Sequence, residues 1–447
     1  MKSIALKLGS LAVLGALLVA ACGPAATAAP TTAPTAAMAA PTEAMAATTA
    51  PTTAPAQTVT MTIGYTTSQT GSLNTESVRQ AHGLELWMNQ VNSNGGIKVG
   101  NTTVMFKGVT YDDESTKDRV QQLYTRLATQ DNVDFMISPY SSGLTAAAAV
   151  IAQQNNKIMI TTGAADDSTY KQGYTLVYQA YTPASKYLSG AIDQLMTLDP
   201  SAKNIAYIYS NDNFSTSVVN AAKTYAESKG FNTVMFEGYD PSTTDFSALI
   251  NKAAGLSPDA VLGGGHYADG STLARQISEK GLSVKYLALL VAPPEPDFAQ
   301  LGDAANGVVG PSQWEPEVKY SSDAAQSMSI PYVGPTVADF VSAYKAAYNE
   351  DPSYHSAGGY AAGLLLQTAL ENAGSTDTSA VAAALDKLDV MTFFGVEKFD
   401  TSADSHGLQI GHEMVYIQWQ KDSSGNLVKQ IVWPSGAATA SAVYPKP

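Results

Sequence analysis

Pro139-Tyr140-Ser141-Ser142-Gly143 is the stretch whose residue types most invite chemistry. It lies where a strand pattern gives way to an Ala-rich helical one, so serine hydroxyls stand at a strand-to-helix turn. Two chemistries use that arrangement. A nucleophile elbow, G-x-S-x-G, would make Ser141 an acyl-transfer nucleophile, but Pro139 occupies the first glycine position of a turn that needs a small residue. A Ser–acid–His order could be completed by His355 or His412, yet no spacing draws either toward Ser141. The other chemistry is anion binding. Helix N-termini beyond the carboxyl ends of parallel strands offer bare N–H groups and a partial positive charge. The next strand ends Thr161-Thr162-Gly163-Ala164-Ala165-Asp166, a second small-residue loop where backbone can approach a ligand closely. Hydroxyls with bare N–H groups suit a small carboxylate. The expected chemistry is binding without turnover.

Other reactive groups add little. The histidines His82, His266, His355, His406 and His412 follow no metal-ligand spacing, so no metal site is expected. The single cysteine excludes a disulfide framework, a Cys-based zinc site and an iron–sulfur cluster. No G-x-x-x-x-G-K-[ST] loop occurs, nor a G-x-G-x-x-G opening a helix, and no cofactor is expected. A net charge of −14 with 14% charged residues argues against a nucleic-acid surface. By position alone, Gln69 and Thr70 after the first strand are cleft candidates. Tyr140 and Trp314 could form an aromatic floor, and Asp166 and Asp167 could meet a cationic group.

These residues need a scaffold, and the apolar pattern supplies one. Strand candidates are Val59–Tyr65, Thr103–Tyr111, Val133–Ser138, Ile158–Thr161, Asn204–Tyr209, Thr233–Glu237, Asp259–Leu262 and Val284–Leu290. Helical periods lie between them, the first marked by Val78, Ala81, Leu84, Met88 and Val91 and closed by Asn94-Gly95-Gly96. Alternating units with near-continuous apolar strands imply parallel sheets covered on both faces, in two tandem lobes. Three later helices, near Thr336–Asn349, Ala357–Asn372 and Ala380–Leu388, precede strands at Phe394–Phe399, His412–Gln420 and Val428–Trp433. A chain returning to each lobe creates crossing strands, hence a hinge.

The N-terminus reads differently. Lys2 and Lys7 precede an apolar run from Leu11 to Ala21, about 11 residues, too short to span a bilayer and suited to a signal-peptide core. Val19-Ala20-Ala21-Cys22 resembles a bacterial lipobox, with the Cys22 thiol as the lipidation site. Gly23 to Gln57 is built from Ala, Thr and Pro and lacks aromatic and branched aliphatic residues, so it cannot bury a core. Residues 1–21 are expected to be a signal peptide, and 22–57 a lipidated cysteine with a linker.

The strings IGYTTSQTGSL, NQVNSNGGIKVG, YDDES, ISPYSSGLT, TTGAAD, TDFSALI and DAVLGGGHY run in order from about Thr58 to Pro434. Together they resemble the branched-chain amino acid (Leu/Ile/Val-type) substrate-binding proteins of ABC importers. The resemblance implies a type I periplasmic-binding-protein fold: α/β, two Rossmann-like doubly wound parallel-sheet lobes joined by hinge strands. Residues 58–181 and 308–405 would form one lobe, and 182–307 and 406–447 the other. It also implies that Ser141 and the backbone at Gly163 hold a ligand carboxylate. Ala165 replaces a family threonine, Phe214 an aromatic residue with a hydroxyl, and His266, followed by Tyr267, a tyrosine. The acid that meets a ligand ammonium should fall near Leu290–Pro294, with Glu295 the only acid close by. Candidate ligand-binding residues are thus Gln69, Tyr140, Ser141, Ser142, Gly163, Ala164, Ala165, Phe214, His266 and Tyr267. The implied partners are an amino acid or related carboxylate, ABC permease subunits with a separate ATPase, and the membrane through the lipid anchor. The implied receptor is extracytoplasmic, monomeric and not an enzyme. A ligand sensor on the same fold is the alternative, and a serine hydrolase is a more distant one.

Overall fold

Strands apolar at every position need helices on both sides, and the computed structural model, which describes residues 57–447, has that arrangement. The expected signal peptide, Cys22 and nearly all of the Ala/Thr/Pro stretch lie outside the described residues. Among those described, no helix is long and apolar enough to cross a membrane.

The first sheet is built from β1 (Gln57–Thr67), β2 (Ile97–Val99), β3 (Thr102–Asp112), β4 (Phe135–Ile137), β5 (Met159–Thr161) and β6 (Val177–Gln179). Their order is β2-β3-β1-β4-β5-β6, parallel except for the β2–β3 hairpin. The helices α1 (Asn74–Ser93), α2 (Lys117–Thr129) and α3 (Ser142–Gln154) connect them. Ile63, Phe135, Ile137 and Ile160 point to the face covered by α1, while Met136, Met159 and Val177 point to the face covered by α2 and α3. The period of two sends both sets into cores, which is why the central strands β4 and β5 are buried at every position.

The second lobe contributes α4 (Ser189–Leu198), β7 (Asn204–Ser210), α5 (Asn213–Ser228), β8 (Asn232–Tyr239), α6 (Ser247–Leu256), β9 (Ala260–Gly264), α7 (Tyr267–Glu279), β10 (Tyr286–Leu289) and β11 (Val308–Ser312). The chain then returns to the first lobe through α8 (Ser322–Ser327), α9 (Val337–Tyr348), α10 (Tyr354–Ala373) and α11 (Thr378–Leu385). A small hairpin follows, β12 (Asp389–Met391) and β13 (Val396–Lys398), and β14 (Val415–Lys421) and β15 (Leu427–Trp433) complete the second sheet. That sheet has the order β15-β14-β11-β10-β9-β7-β8, with β14 antiparallel to both its neighbours. The helix α10 lies so close to α1 that a Cβ on Gly83 or Gly359 would strike the opposing backbone at Ser356 or Gln80.

Two crossings fall later than expected at 308 and 406. Val308 and Val309 pair with Leu287 and Ala288 of β10, so β11 belongs to the second sheet and the chain leaves it only after Ser312. The Gln179 N–H donates to the Gly407 carbonyl at 2.8 Å and Phe399 bridges Gln409, which keeps the chain in the first lobe to Gln409. The strands β2, β6, β11 and β12 were not expected; each is short and carries a polar residue or proline (Lys98, Gln179, Pro311, Asp389) that breaks the apolar run.

The three crossing segments are stitched together by polar side chains. The Thr182 N–H donates to Gln313 Oε1 at 2.9 Å, the Thr182 hydroxyl to the His412 carbonyl at 3.1 Å, and His412 Nε2 meets the Gln313 carbonyl at 2.8 Å. That carbonyl can only accept, so Nε2 carries the proton. Burial pushes the His412 imidazole down to about 4, and it is neutral in the folded protein. An unfolded histidine takes up its proton near 6.5, so between 6.5 and about 4 the unfolded chain binds more protons. Stability is therefore lost as pH falls through that window, by ~3 kcal/mol from this group, and no further below it. In urea unfolding near neutral pH and at about pH 4.5, His412→Gln, which keeps an N–H for the Gln313 carbonyl, is expected to lose less stability than the parent. An equal loss in both proteins would refute this role.

Candidate functional site

The carboxyl ends of β1, β4 and β5 in the first lobe face those of β7, β9 and β10 in the second, and the loops following them form the interlobe crevice. Its inner part is a narrow chamber of about 10 Å³. That is room for about one water molecule, so the rings from the two lobes nearly close the space between the loops. From the first lobe come Tyr140, Gly163, Ala165, Tyr181, Tyr354 and His355. The second lobe brings Tyr187, Phe214, His266 and Val291. The rings meet edge to face, with Tyr187 and Phe214 at 5.1 Å and 79° and Tyr140 and His355 at 5.0 Å and 84°.

A more open pocket adjoins it, lined by Ser141, Gly143, Leu144, Asp212 and Asn213, with His266 common to both. The imidazole stands as the partition, and its Nδ1 lies 2.8 Å from the Tyr140 hydroxyl of the other lobe. Ser141 is the N-cap of α3 but its side chain caps nothing, which leaves the hydroxyl facing this outer pocket. Its neighbour Ser142 is already engaged, accepting from the N–H groups of Ala165 (3.0 Å) and Asp166 (3.1 Å). Ser138 likewise fixes Thr162. The two small-residue loops are thus held at fixed spacing by Ser138 and Ser142. Gly163 turns with φ +67°, and a Cβ there would meet Gln80 Oε1 and the Tyr140 ring, so this residue is needed for both its backbone and its space.

Around the chamber runs a seam of buried polar groups. On α1, Glu76 and Arg79 lie one turn apart and face the other lobe. Glu76 Oε1 accepts from the Tyr267 N–H at 2.7 Å and from the Tyr140 hydroxyl at 3.3 Å, while Oε2 has no partner. Burial pushes this carboxyl up, against the pull of His266 and His355. Arg79 reaches Glu295 at 3.3 Å and Asp297 at 3.0 Å. Glu295 also meets His355 Nδ1 at 2.6 Å. Burial would raise the Glu295 carboxyl, but His355, Arg79 and Lys429 outweigh it and hold it below the usual range.

The expected residues divide accordingly. Tyr140, Gly163, Ala165, Phe214 and His266 line the chamber, and Ser141 the outer pocket. Ser142 and Ala164 lie behind the loops, where the Ala164 carbonyl accepts from Gln179. Tyr267 offers its N–H to Glu76 rather than its ring to the chamber. Gln69 is exposed and tied to Asp112 and Asn74 through its backbone, lining neither pocket. Trp314 is a core residue, its indole N–H donating to the Phe393 carbonyl at 3.0 Å beside Phe340, and so forms no cleft floor. Asp167 accepts from Ser185, and Asp166 caps the following turn. His355 does come to the chamber, but Ser141 lies in the outer pocket, which His355 does not line. The reading of the sequence missed Glu76, Arg79, Tyr181, Tyr187 and Tyr354. Glu76, Arg79, Gln80 and Gly83 follow helical spacing along a buried helix, a polar stripe that could have flagged α1.

Residues 60–425 match the family model described as periplasmic binding protein. A Leu/Ile/Val-binding protein homolog of Brucella melitensis is 26% identical over 385 residues, covering 84% of this chain and 92% of the relative. Among solved structures, the branched-chain amino acid transporter substrate binding protein of Streptococcus pneumoniae, in complex with isoleucine, superposes with a TM-score of 0.67 at 22% identity. It covers 83% of this chain and 100% of its own. A solute binding protein of an R. palustris ABC transporter, in complex with benzoate, gives 0.68 at 19% identity, covering 86% and 98%. The match to the family model spans most of the body and both sheets, and the chain belongs to the periplasmic binding protein family, extracytoplasmic solute-binding proteins that are not enzymes.

Proposed function

We propose that this protein is the solute-binding lipoprotein of an ABC importer. It closes its two lobes on an amino acid or similar small carboxylate and delivers it to membrane permease subunits driven by a separate ATPase. The observation that carries this reading is the crevice between the lobes, at the carboxyl ends of both sheets. The relatives crystallised with isoleucine and with benzoate hold ligands that share only a carboxylate and a small apolar body. A ligand bridging the lobes stabilises the closed form by its differential affinity for that form. Cys22, after Val19-Ala20-Ala21, supplies the anchor, and the Ala/Thr/Pro stretch the tether to a monomeric receptor body.

Unfolding the purified protein and identifying the released small molecule by mass spectrometry tests the ligand class, and release of a solute lacking a carboxylate overturns it. With the released ligand in hand, Ser141→Ala is expected to weaken calorimetric binding by about 1.5–3 kcal/mol through loss of one charge-assisted hydrogen bond. Unchanged affinity would remove Ser141 from the site. Arg79→Met leaves Glu295 and Asp297 without their interlobe cation. It is expected to lower ligand affinity at least about tenfold, ~1.4 kcal/mol, and to reduce the ligand-induced compaction seen by small-angle scattering. Wild-type affinity and compaction in that variant would make the seam irrelevant to closure.

A further inference from the structure

The pocket that Ser141 lines has a volume of about 300 Å³, enough for a small solute, whereas the ring-walled chamber behind it holds about one water molecule. Its two walls differ in charge. The first lobe presents the Ser141 hydroxyl, the N-terminus of α3 and Lys117, all suited to an anion. The second presents two carboxylates, Asp212 at the N-cap of α5 and Asp269 in the first turn of α7.

Each acid already serves its own neighbourhood. Asp212 accepts from the Ser215 N–H at 2.9 Å and from its hydroxyl at 2.8 Å, and Asp269 accepts from the His266 N–H and the Tyr239 hydroxyl, both at 2.7 Å. A carboxylate oxygen has two lone-pair sites, so all four oxygens can accept again. Their charges are less well served. Burial pushes the Asp269 carboxyl up and the Asp212 charge adds to that, against the pull of His266. His266 Nε2 stops 3.9 Å from Asp212 Oδ1, beyond a hydrogen bond, and its Nδ1 is held by Tyr140. A cationic solute group seated between the two carboxylates offsets their mutual repulsion.

A separate observation concerns the rest of the solute. Ser210, the last residue of β7, is 1% exposed and lines this pocket, yet its hydroxyl has no hydrogen-bond partner. A buried hydroxyl left unpaired is costly, so a polar solute group that bonds it gains what an alkyl group cannot. Ser72, Ser115 and Asn213 add further polar groups to the lining, and the chamber behind gives a bulky alkyl side chain no room.

Resting on the function proposed above, we infer that the solute is a hydrophilic amino acid seated in the outer pocket, its carboxylate on the Ser141 wall and its ammonium group between Asp212 and Asp269. A zwitterion of this kind draws on both walls only when the lobes are together, which gives it the differential affinity that closure requires. The test is calorimetric titration of the full-length protein, freed of co-purified solute by unfolding and refolding, with serine, asparagine, glutamine, leucine and benzoate. The tightest binder among the first three is expected to exceed leucine and benzoate at least about tenfold. Asp212→Asn is expected to weaken that binding at least about tenfold, because asparagine keeps the N-cap oxygen of α5 and removes only the charge. Asp269→Asn removes the other charge and decides the matter if the first variant does not fold. Leucine or benzoate binding as tightly overturns the inference and leaves the carboxylate receptor standing. Unchanged affinity in the folded variants also overturns it. Binding of none of the five overturns it too, while the carboxylate receptor stands or falls on the solute released by unfolding.

Discussion

Arg79 is almost wholly buried, and its counter-ions come from two different lobes. Removing one partner from a buried ion pair costs about 3–5 kcal/mol, whereas exchanging a whole set of partners for water is close to neutral. The closed form meets that constraint by bringing Glu295 and Asp297 of the second lobe against Arg79 and His355 of the first. Were the lobes apart, water would serve each group instead. The seam therefore defines the register in which the lobes meet while contributing little to whether they meet. The differential affinity of the ligand is left to decide the population.

That division of labour explains the stiffness of the chamber wall. Buried tyrosines must place their hydroxyls, and here each such bond fixes a ring: Tyr140 on His266, Tyr181 on the Tyr354 carbonyl, and Tyr187 as acceptor from Gln313. Two of these three bonds tie the wall to the other lobe or to a crossing segment. A solute then meets surfaces that lose little conformational freedom on binding, which is how a small contact area can still give useful affinity.

The parallel sheets could be read from the sequence because the central strands are buried on both faces, and a run such as Ile205–Tyr209 then shows apolar residues without interruption. The small-residue loops were legible for a related reason: Gly163 and Ser141 occupy turns that few residue types satisfy. The seam and much of the chamber were not. Tyr354 and His355 begin a helix more than two hundred residues beyond Ser141, and only the return of the chain through α10 brings them to the crevice. Tyrosines at 181 and 187 flank the crossing expected after residue 181, but nothing local tells that their rings turn to the crevice. Trp314 shows the converse error, since an aromatic residue in a Pro-flanked crossover looks the same in sequence whether it lines a cleft or fills the core beneath it.

Hinge and seam differ in one electrostatic respect that follows from their duties. The crossing segments are buried, and so are the titratable groups in and beside them. His412 is pushed down to about 4, Glu315 up to about 7 despite Lys429 at 2.7 Å, and burial raises Glu397 well above the ordinary carboxylate range. Each is driven toward its uncharged form, as burial demands. In the seam, by contrast, Arg79 is pushed up and Glu295 down, both toward the charged form, because their opposite-sign partners outweigh burial. Charges are tolerable there because separation of the lobes would return them to water, and full charge is what makes the match between lobes selective for one closed geometry. Glu76 stands between the two regimes, in the crevice yet raised by burial, with one oxygen unused.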